Sequence, residues 1–352
     1  MYILLAILIF GVLIFTHELG HFLVAKAFHV RVNEFALFMG PALWKREVGE
    51  TTYSVRCIPI GGYCAMEGED GESDDPRSFT AAAAWKRALI LVAGAAFNFL
   101  TGLIALVILY STVFGFSTPQ IVDFYEGCPL ESESGLQVGD TLYSIDGERV
   151  YLYSDVSMLL NRNRTGVYDL VVRRDGKLVE LKDFEMTQQA YEENGQTVYR
   201  YGLYFGSEGK NVGTVLKNSW LTAVDIVRIV RMSLQDLVTG FVSIDEMSGP
   251  VGIVSVIADT GEQSENAAAA ALNITYLAAF IAVNLAVVNL LPIPALDGGR
   301  IFFLIVTWVA EKLLRRKIDP KYENYIHAAG MIFLLLFIAF ITFKDIGKLI
   351  GG

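Results

Sequence analysis

The chain has 352 residues, 53% of them hydrophobic, and a formal net charge of -10. So apolar a composition excludes an ordinary soluble enzyme and points to an integral membrane protein. The acidic balance gives no sign of nucleic-acid binding.

The first hydrophobic stretch runs from about Tyr2 to Phe28 and makes residues 1–29 a first transmembrane helix. Inside it lies His17-Glu18-Leu19-Gly20-His21, which holds two of the chain's four histidines. Residues four apart share a helix face, so His17 and His21 can grip one metal ion while Glu18 reaches water beside it. Ionisable groups are costly at membrane depth, and three within five residues mark a functional site. His17 is about 14 residues into the span, roughly 21 Å along it, which puts it in the far half of the bilayer. A signal peptide would need a basic leading region and a small-residue cleavage site, and the sequence pattern shows neither.

Residues 30–80 carry short β-branched and aromatic runs, such as Thr51-Thr52-Tyr53-Ser54-Val55, broken by Gly40-Pro41 and Gly61-Gly62. They read as β-hairpins. A second transmembrane helix is expected within 81–117, with its apolar run from Ala88 to Phe116 and Asn98 as an isolated amide. Residues 118–208 contain alternating strands and an Asp175-Gly176 hairpin signal, which together predict a small β-rich module. Within 209–264, Trp220, Ala223, Val227, Val230, Leu234, Leu237 and Phe241 recur in steps of three and four opposite Asp225, Arg228, Gln235 and Asp236. That pattern predicts an amphipathic helix, lying on the membrane or packed against the module, followed by a linker.

A third transmembrane helix is expected over 265–299, apolar from Ala267 to Leu291 and ending in Asn289-Leu290-Leu291-Pro292-Ile293-Pro294-Ala295-Leu296-Asp297-Gly298-Gly299. Residues 300–324 read as a loop, and 325–352 as a fourth helix and tail, apolar from Tyr325 to Phe343. Lys26, Arg31, Lys45, Arg46, Arg56, Lys86 and Arg87 follow the first span, and Arg300, Lys312, Arg315, Arg316, Lys317 and Lys321 follow the third. By the positive-inside rule both segments face the cytoplasm, leaving the β-rich module and both termini outside. Cys57 and Cys64 then lie on the reducing side and Cys128 is alone, so no disulfide framework is expected.

A catalytic zinc ion takes three protein ligands and keeps a position open. Beyond His17 and His21, His29 lies past the first span and His327 opens a span without a polar companion in the sequence. Asp297 is better placed, because Pro292 and Pro294 break the helix before it and let a carboxylate turn inward. The fold class is therefore a polytopic α-helical membrane protein of four transmembrane helices, with a β-hairpin sheet and an inserted β-rich domain.

HELGH in the first span with NLLPIPALDGG in the third resembles the site-2 protease family of intramembrane zinc metalloproteases, of the RseP/RasP type. Ile58-Pro59-Ile60-Gly61-Gly62-Tyr63, Gly135-Leu136-Gln137-Val138-Gly139-Asp140 and Ser248-Gly249-Pro250-Val251-Gly252-Ile253 agree in order. Ala95 stands where the family commonly has proline. The resemblance implies one zinc ion held by His17, His21 and Asp297, Glu18 as the catalytic base, and the β-rich module as a single PDZ domain. It implies that the hairpin sheet is membrane-associated, and that Asn289, Pro292, Pro294, Asn98, Gly61 and Gly62 border the substrate. Asn98 could equally serve as an interhelical hydrogen-bonding amide. The implied setting is multi-pass in a bacterial cell membrane among lipid, and the implied partners are single-span membrane substrates, such as anti-sigma factors already shortened outside or remnant signal peptides. Two alternatives of another class are a cation transporter whose pathway uses the same acidic and histidine groups, and a non-catalytic PDZ membrane adaptor.

Overall fold

The computed structural model describes residues 1–69, 71, 73–193, 196–243, 247–314 and 321–351. Arg315, Arg316 and Lys317 of the basic segment lie outside the described residues. The chain forms two compact units, one of Met1–Leu106 with Ile226–Gly352 and the other of Val107–Asp225. Among the described residues, four helices are long and apolar enough to cross a membrane: Tyr2–Ala27, Ala84–Tyr110, Ala267–Asn289 and Tyr325–Lys348.

Helix α1 spans Tyr2–Ala27 and exposes Ile3, Leu4 and Leu8, as a helix facing lipid does. It stops at a left-handed His29, φ 61°. There the Val30 N–H donates to Ala25 O at 2.9 Å and the His29 N–H to Lys26 O at 3.1 Å, a Schellman closure, so His29 serves as a helix stop. Strands β1 (Val32–Val48) and β2 (Thr51–Met66) form the expected hairpin, with a further fold. Glu34 to Leu37 pair with Thr52 to Val55 on one side and with Gly62 to Ala65 on the other, while Trp44 to Glu47 also pair with Thr52 to Val55. Two long strands thus make four short rows, and one outer row is the segment that begins at Gly61. Phe35, Cys64, Met66, Ile90 and Leu91 form the core beneath.

Helix α2 covers Ala84–Tyr110 and ends short of the expected Phe116. Ser111 and Thr112 turn their hydroxyls back onto the carbonyls of Ile108 and Leu109, at 2.6 Å each, and the chain enters strand β3, Gly115–Phe124. The second unit continues with β4 (Thr141–Ile145), β5 (Glu148–Arg149), α3 (Tyr153–Arg162), β6 (Val167–Arg174), β7 (Lys177–Glu185), β8 (Gln189–Glu193), β9 (Gln196–Arg200) and β10 (Leu203–Gly209). Its main sheet runs β10-β3-β4-β6-β7 with β5 on β4, and β8 pairs with β9 in a separate hairpin. Asp175 and Gly176 join β6 to β7 with φ 48° and 77°, the two-residue turn that the Asp-Gly pair predicts. Ile121, Leu142, Ile145, Leu170 and Val172 fill the core with Leu159 and Leu160 of α3.

Helix α4 spans Val212–Thr239, and its faces differ from the expected stripe. Asp225, Arg228 and Asp236 are buried whereas Trp220 and Phe241 are half exposed. Two other buried polar residues of the helix are bonded: Asn218 Nδ2 donates to Glu208 Oε1 at 3.1 Å, and Thr222 Oγ1 lies 2.9 Å from Tyr110 Oη. The expected linker contains helix α5, Pro250–Glu262, whose first amides are capped from a distance. Asp345 Oδ2 accepts from the Gly249 and Gly252 N–H groups at 2.9 and 2.8 Å.

Helix α6, Ala267–Asn289, is capped by Asn266 and ends before Pro292. The segment expected as a loop over 300–324 instead contains helix α7, Asp297–Leu314, and helix α8 follows over Lys321–Gly351. Gly298-Gly299 reads as a turn, yet here the pair opens a helix. An added Cβ at Gly299 would stand 2.7 Å from the Ile293 carbonyl carbon, so the start of α7 is folded tightly against the preceding turn. Close approaches at small residues draw the other helices together, with Gly20 on the Ala93 carbonyl and Gly102 on Val283. Ala6, Leu13, Ile257, Ile274 and Ile281 form the core shared by α1, α5 and α6.

Candidate metal centre

α1 presents His17 and His21 on one face, and the start of α7 brings Asp297 to them from a point far along the chain. His17 Nε2 lies 3.2 Å from His21 Nε2, and Asp297 Oδ2 lies 3.2 Å from the first and 3.4 Å from the second. Ligand atoms about 2.0–2.1 Å from a tetrahedral zinc ion stand roughly 3.3 Å apart, so the three atoms describe one face of such a site.

Three further observations fit a cation. Among the described residues, Asp297 Oδ2 is buried and has no hydrogen-bond partner, which leaves its charge aimed at the two imidazoles. His21 Nδ1 donates to Ile90 O at 2.8 Å, a bond that keeps the proton on Nδ1 and the lone pair on Nε2. Gly94 of α2 leaves the space open, since an added Cβ would collide with His21 Nε2 and stand 2.8 Å from His17 Cε1.

The other candidate residues divide into two groups. Asn98 and Asn289, on α2 and α6, both bring Nδ2 to 3.5 Å from His17 Nδ1, and Thr16 Oγ1 lies 3.0 Å from Asn98 Oδ1. A half-turn of either amide puts its oxygen on the Nδ1–H that a metal on Nε2 requires, so both asparagines border the candidate ligand itself. Gly61 and Gly62 lie on the outer row of β2. Gly62 packs over α1, where an added Cβ would stand 2.8 Å from Ile14 Cγ2 and 3.2 Å from Glu18 Cγ, so Glu18 lies beneath that strand. Pro292 is exposed and Pro294 is half-buried against Gly330 of α8.

Residues 5–337 match peptidase family M50. The chain belongs to that family. It is 33% identical over 348 residues to a protein provisionally named a zinc metalloprotease in Clostridium perfringens, with 98% of each chain covered. It is 35% identical over 355 residues to a Fusobacterium nucleatum protein given the same provisional name, again with 98% of each covered. The regulator of sigma-W protease RasP of Bacillus subtilis is 28% identical over 428 residues, with 97% of each covered. Sequence reasoning did not single out Gly94, although three small residues in a row, Gly94-Ala95-Ala96, were the available signal for a close approach. Nor did it find a role for His327, whose partner proves to be a backbone amide.

Proposed function

We propose that this member of peptidase family M50 is a zinc metalloendopeptidase that cuts peptide bonds within or near the transmembrane helix of single-span substrates. The observation that carries the reading is the convergence of His17, His21 and Asp297 on one point with Asp297 Oδ2 left without a donor. Bound zinc supplies Lewis acidity, polarising the scissile carbonyl and lowering the pKa of water towards about 7. Glu18 takes the proton of the attacking water as its oxygen bonds to the carbonyl carbon, then delivers a proton to the departing amine nitrogen as the C–N bond breaks. His21, fixed through Nδ1 by the Ile90 carbonyl, keeps its ring in the ligand orientation, and His17 is held by the amides of Asn98 and Asn289.

A helix cannot be cut while its carbonyls are locked in helical hydrogen bonds. The row of β2 starting at Gly61, which passes over Glu18, offers an edge for strand addition to the unwound substrate, and we assign Asn289, Pro292 and Pro294 to the same substrate path. We place the chain as a multi-pass protein of a bacterial cell membrane, with its site in the cytoplasmic half of the bilayer. The run of Lys and Arg after the first and third spans supports that orientation, with both termini and the second unit outside. The small antiparallel sheet closed by α3 supports reading the second unit as PDZ-like, acting as a size filter for substrates trimmed outside, such as anti-sigma factors, or for remnant signal peptides.

The test is incubation of the purified protein with a labelled single-span substrate, with and without a zinc chelator, alongside Glu18→Gln. Cleavage should stop with chelator and fall about 10²–10⁴-fold in the variant, while bound zinc is kept. Undiminished cleavage in both arms refutes the assignment.

A further inference from the structure

The turn that delivers Asp297 is held from outside by α8. Ala295, two residues before the candidate ligand, adopts a left-handed backbone with φ 81°, a region that side chains other than glycine seldom enter. Its N–H donates to His327 Nδ1 at 3.2 Å. The Phe303 ring of α7 meets the His327 ring edge-on, with centroids 5.3 Å apart and planes at 72°, which fixes the direction in which Nδ1 faces. Gly330 sits on the same face of α8 three residues later, and an added Cβ there would stand 3.0 Å from the Pro294 carbonyl carbon. Helix α8 therefore grips successive residues of the turn, Pro294 by close packing and Ala295 by a hydrogen bond.

This contact borders a cavity of about 390 Å³ whose lining includes Ala295, His327 and Met331 together with Arg87, Arg300 and Glu69. Arg300, on the first turn of α7, pairs with Glu69. Ala295 thus borders open space, and His327 and Gly330 are contacts that reach the turn from α8. Without an acceptor for the Ala295 N–H, the left-handed conformation loses this hydrogen bond to α8, and Asp297, two residues on, loses the constraint that aims its carboxylate.

We infer that His327 is a positioning residue of the metal centre, holding the Pro294–Ala295 turn so that Asp297 is presented to His17 and His21. This rests on the metal-centre reading above. The ring acts through its Nδ1 as an acceptor and does not touch the metal or the substrate. That function differs from packing alone, because an asparagine carries an oxygen in the position of Nδ1, whereas a glutamine of similar polarity places its oxygen one carbon further out.

The experiment uses the full chain, purified in detergent and loaded with zinc or cobalt(II). Zinc release to a chelator and the visible cobalt spectrum are compared for wild type, His327→Leu, His327→Asn and His327→Gln, at matched resistance to proteolysis. Loss of an outer partner of a metal ligand costs about 10–100-fold in metal affinity, so His327→Leu and His327→Gln should release zinc at least about tenfold faster, with an altered cobalt spectrum, and His327→Asn should stay within about threefold of wild type. If His327→Leu does not fold, the contrast between asparagine and glutamine decides. Wild-type release and spectrum in both the leucine and glutamine variants overturn the inference, as does an asparagine variant no better than glutamine. Failure of the wild type itself to hold zinc or cobalt would refute the metal-centre reading instead.

Discussion

Asp140 and Asp297 both carry buried carboxylate oxygens, and the two units of the chain treat them in opposite ways. Asp140 is fully enclosed and saturated: Arg174 donates from Nε at 2.8 Å and Nη2 at 2.7 Å, and the Gln137 N–H adds a third bond at 2.9 Å. Asp297 Oδ2 has no donor among the described residues and faces two imidazole nitrogens instead. A buried carboxylate that the protein satisfies with its own donors is serving the fold. One that the fold leaves open beside other lone pairs fits a cation.

That contrast can be broken experimentally. Asp297→Ala should remove stoichiometric zinc and lower cleavage by at least about 10³-fold, the scale on which catalytic metals and their partners act, while the unfolding of zinc-free protein changes little. Metal analysis, turnover and unfolding of one preparation check it. Asp140→Ala should do the reverse. It removes the carboxylate from Arg174, which keeps the Gly135 carbonyl, and costs about 1.5–3 kcal/mol of stability in the second unit, read by proteolysis in urea, with zinc content unchanged. Gly176→Ala is a smaller perturbation of the same unit. Its turn needs φ 77°, so a side chain there should cost about 1–2 kcal/mol by the same assay, again with no effect on zinc.

Much of the candidate metal centre was legible because helical spacing is arithmetic. His17 and His21 had to share a face, and the prolines around Ile293 had to free the chain before Asp297. The four long helices, the hairpins and the Asp175-Gly176 turn follow from equally local rules. What was not legible depended on partners distant in sequence. Asn98 and Asn289 looked like separate amides, and only the packing of α2 and α6 against α1 brings both to His17. His327 lacked a visible companion because its companion is the Ala295 N–H, exposed by a backbone conformation that sequence does not announce. Helix α7 was hidden behind Gly298-Gly299, which reads as a turn until close packing against Ile293 explains the need for small residues. The doubling of the hairpin into four rows, and the burial of the polar side of α4, likewise depend on long-range pairing.

One ion shared by two imidazoles and one carboxylate is the centre of the proposed chemistry. Zinc K-edge absorption of the purified protein and of Asp297→Ala tests this most directly. The predicted result is a shell of nitrogen and oxygen at about 2.0–2.1 Å with two imidazole signatures in the wild type, disrupted or lost in the variant. A sulfur shell at about 2.3 Å, or a zinc environment identical in the two proteins, would contradict it.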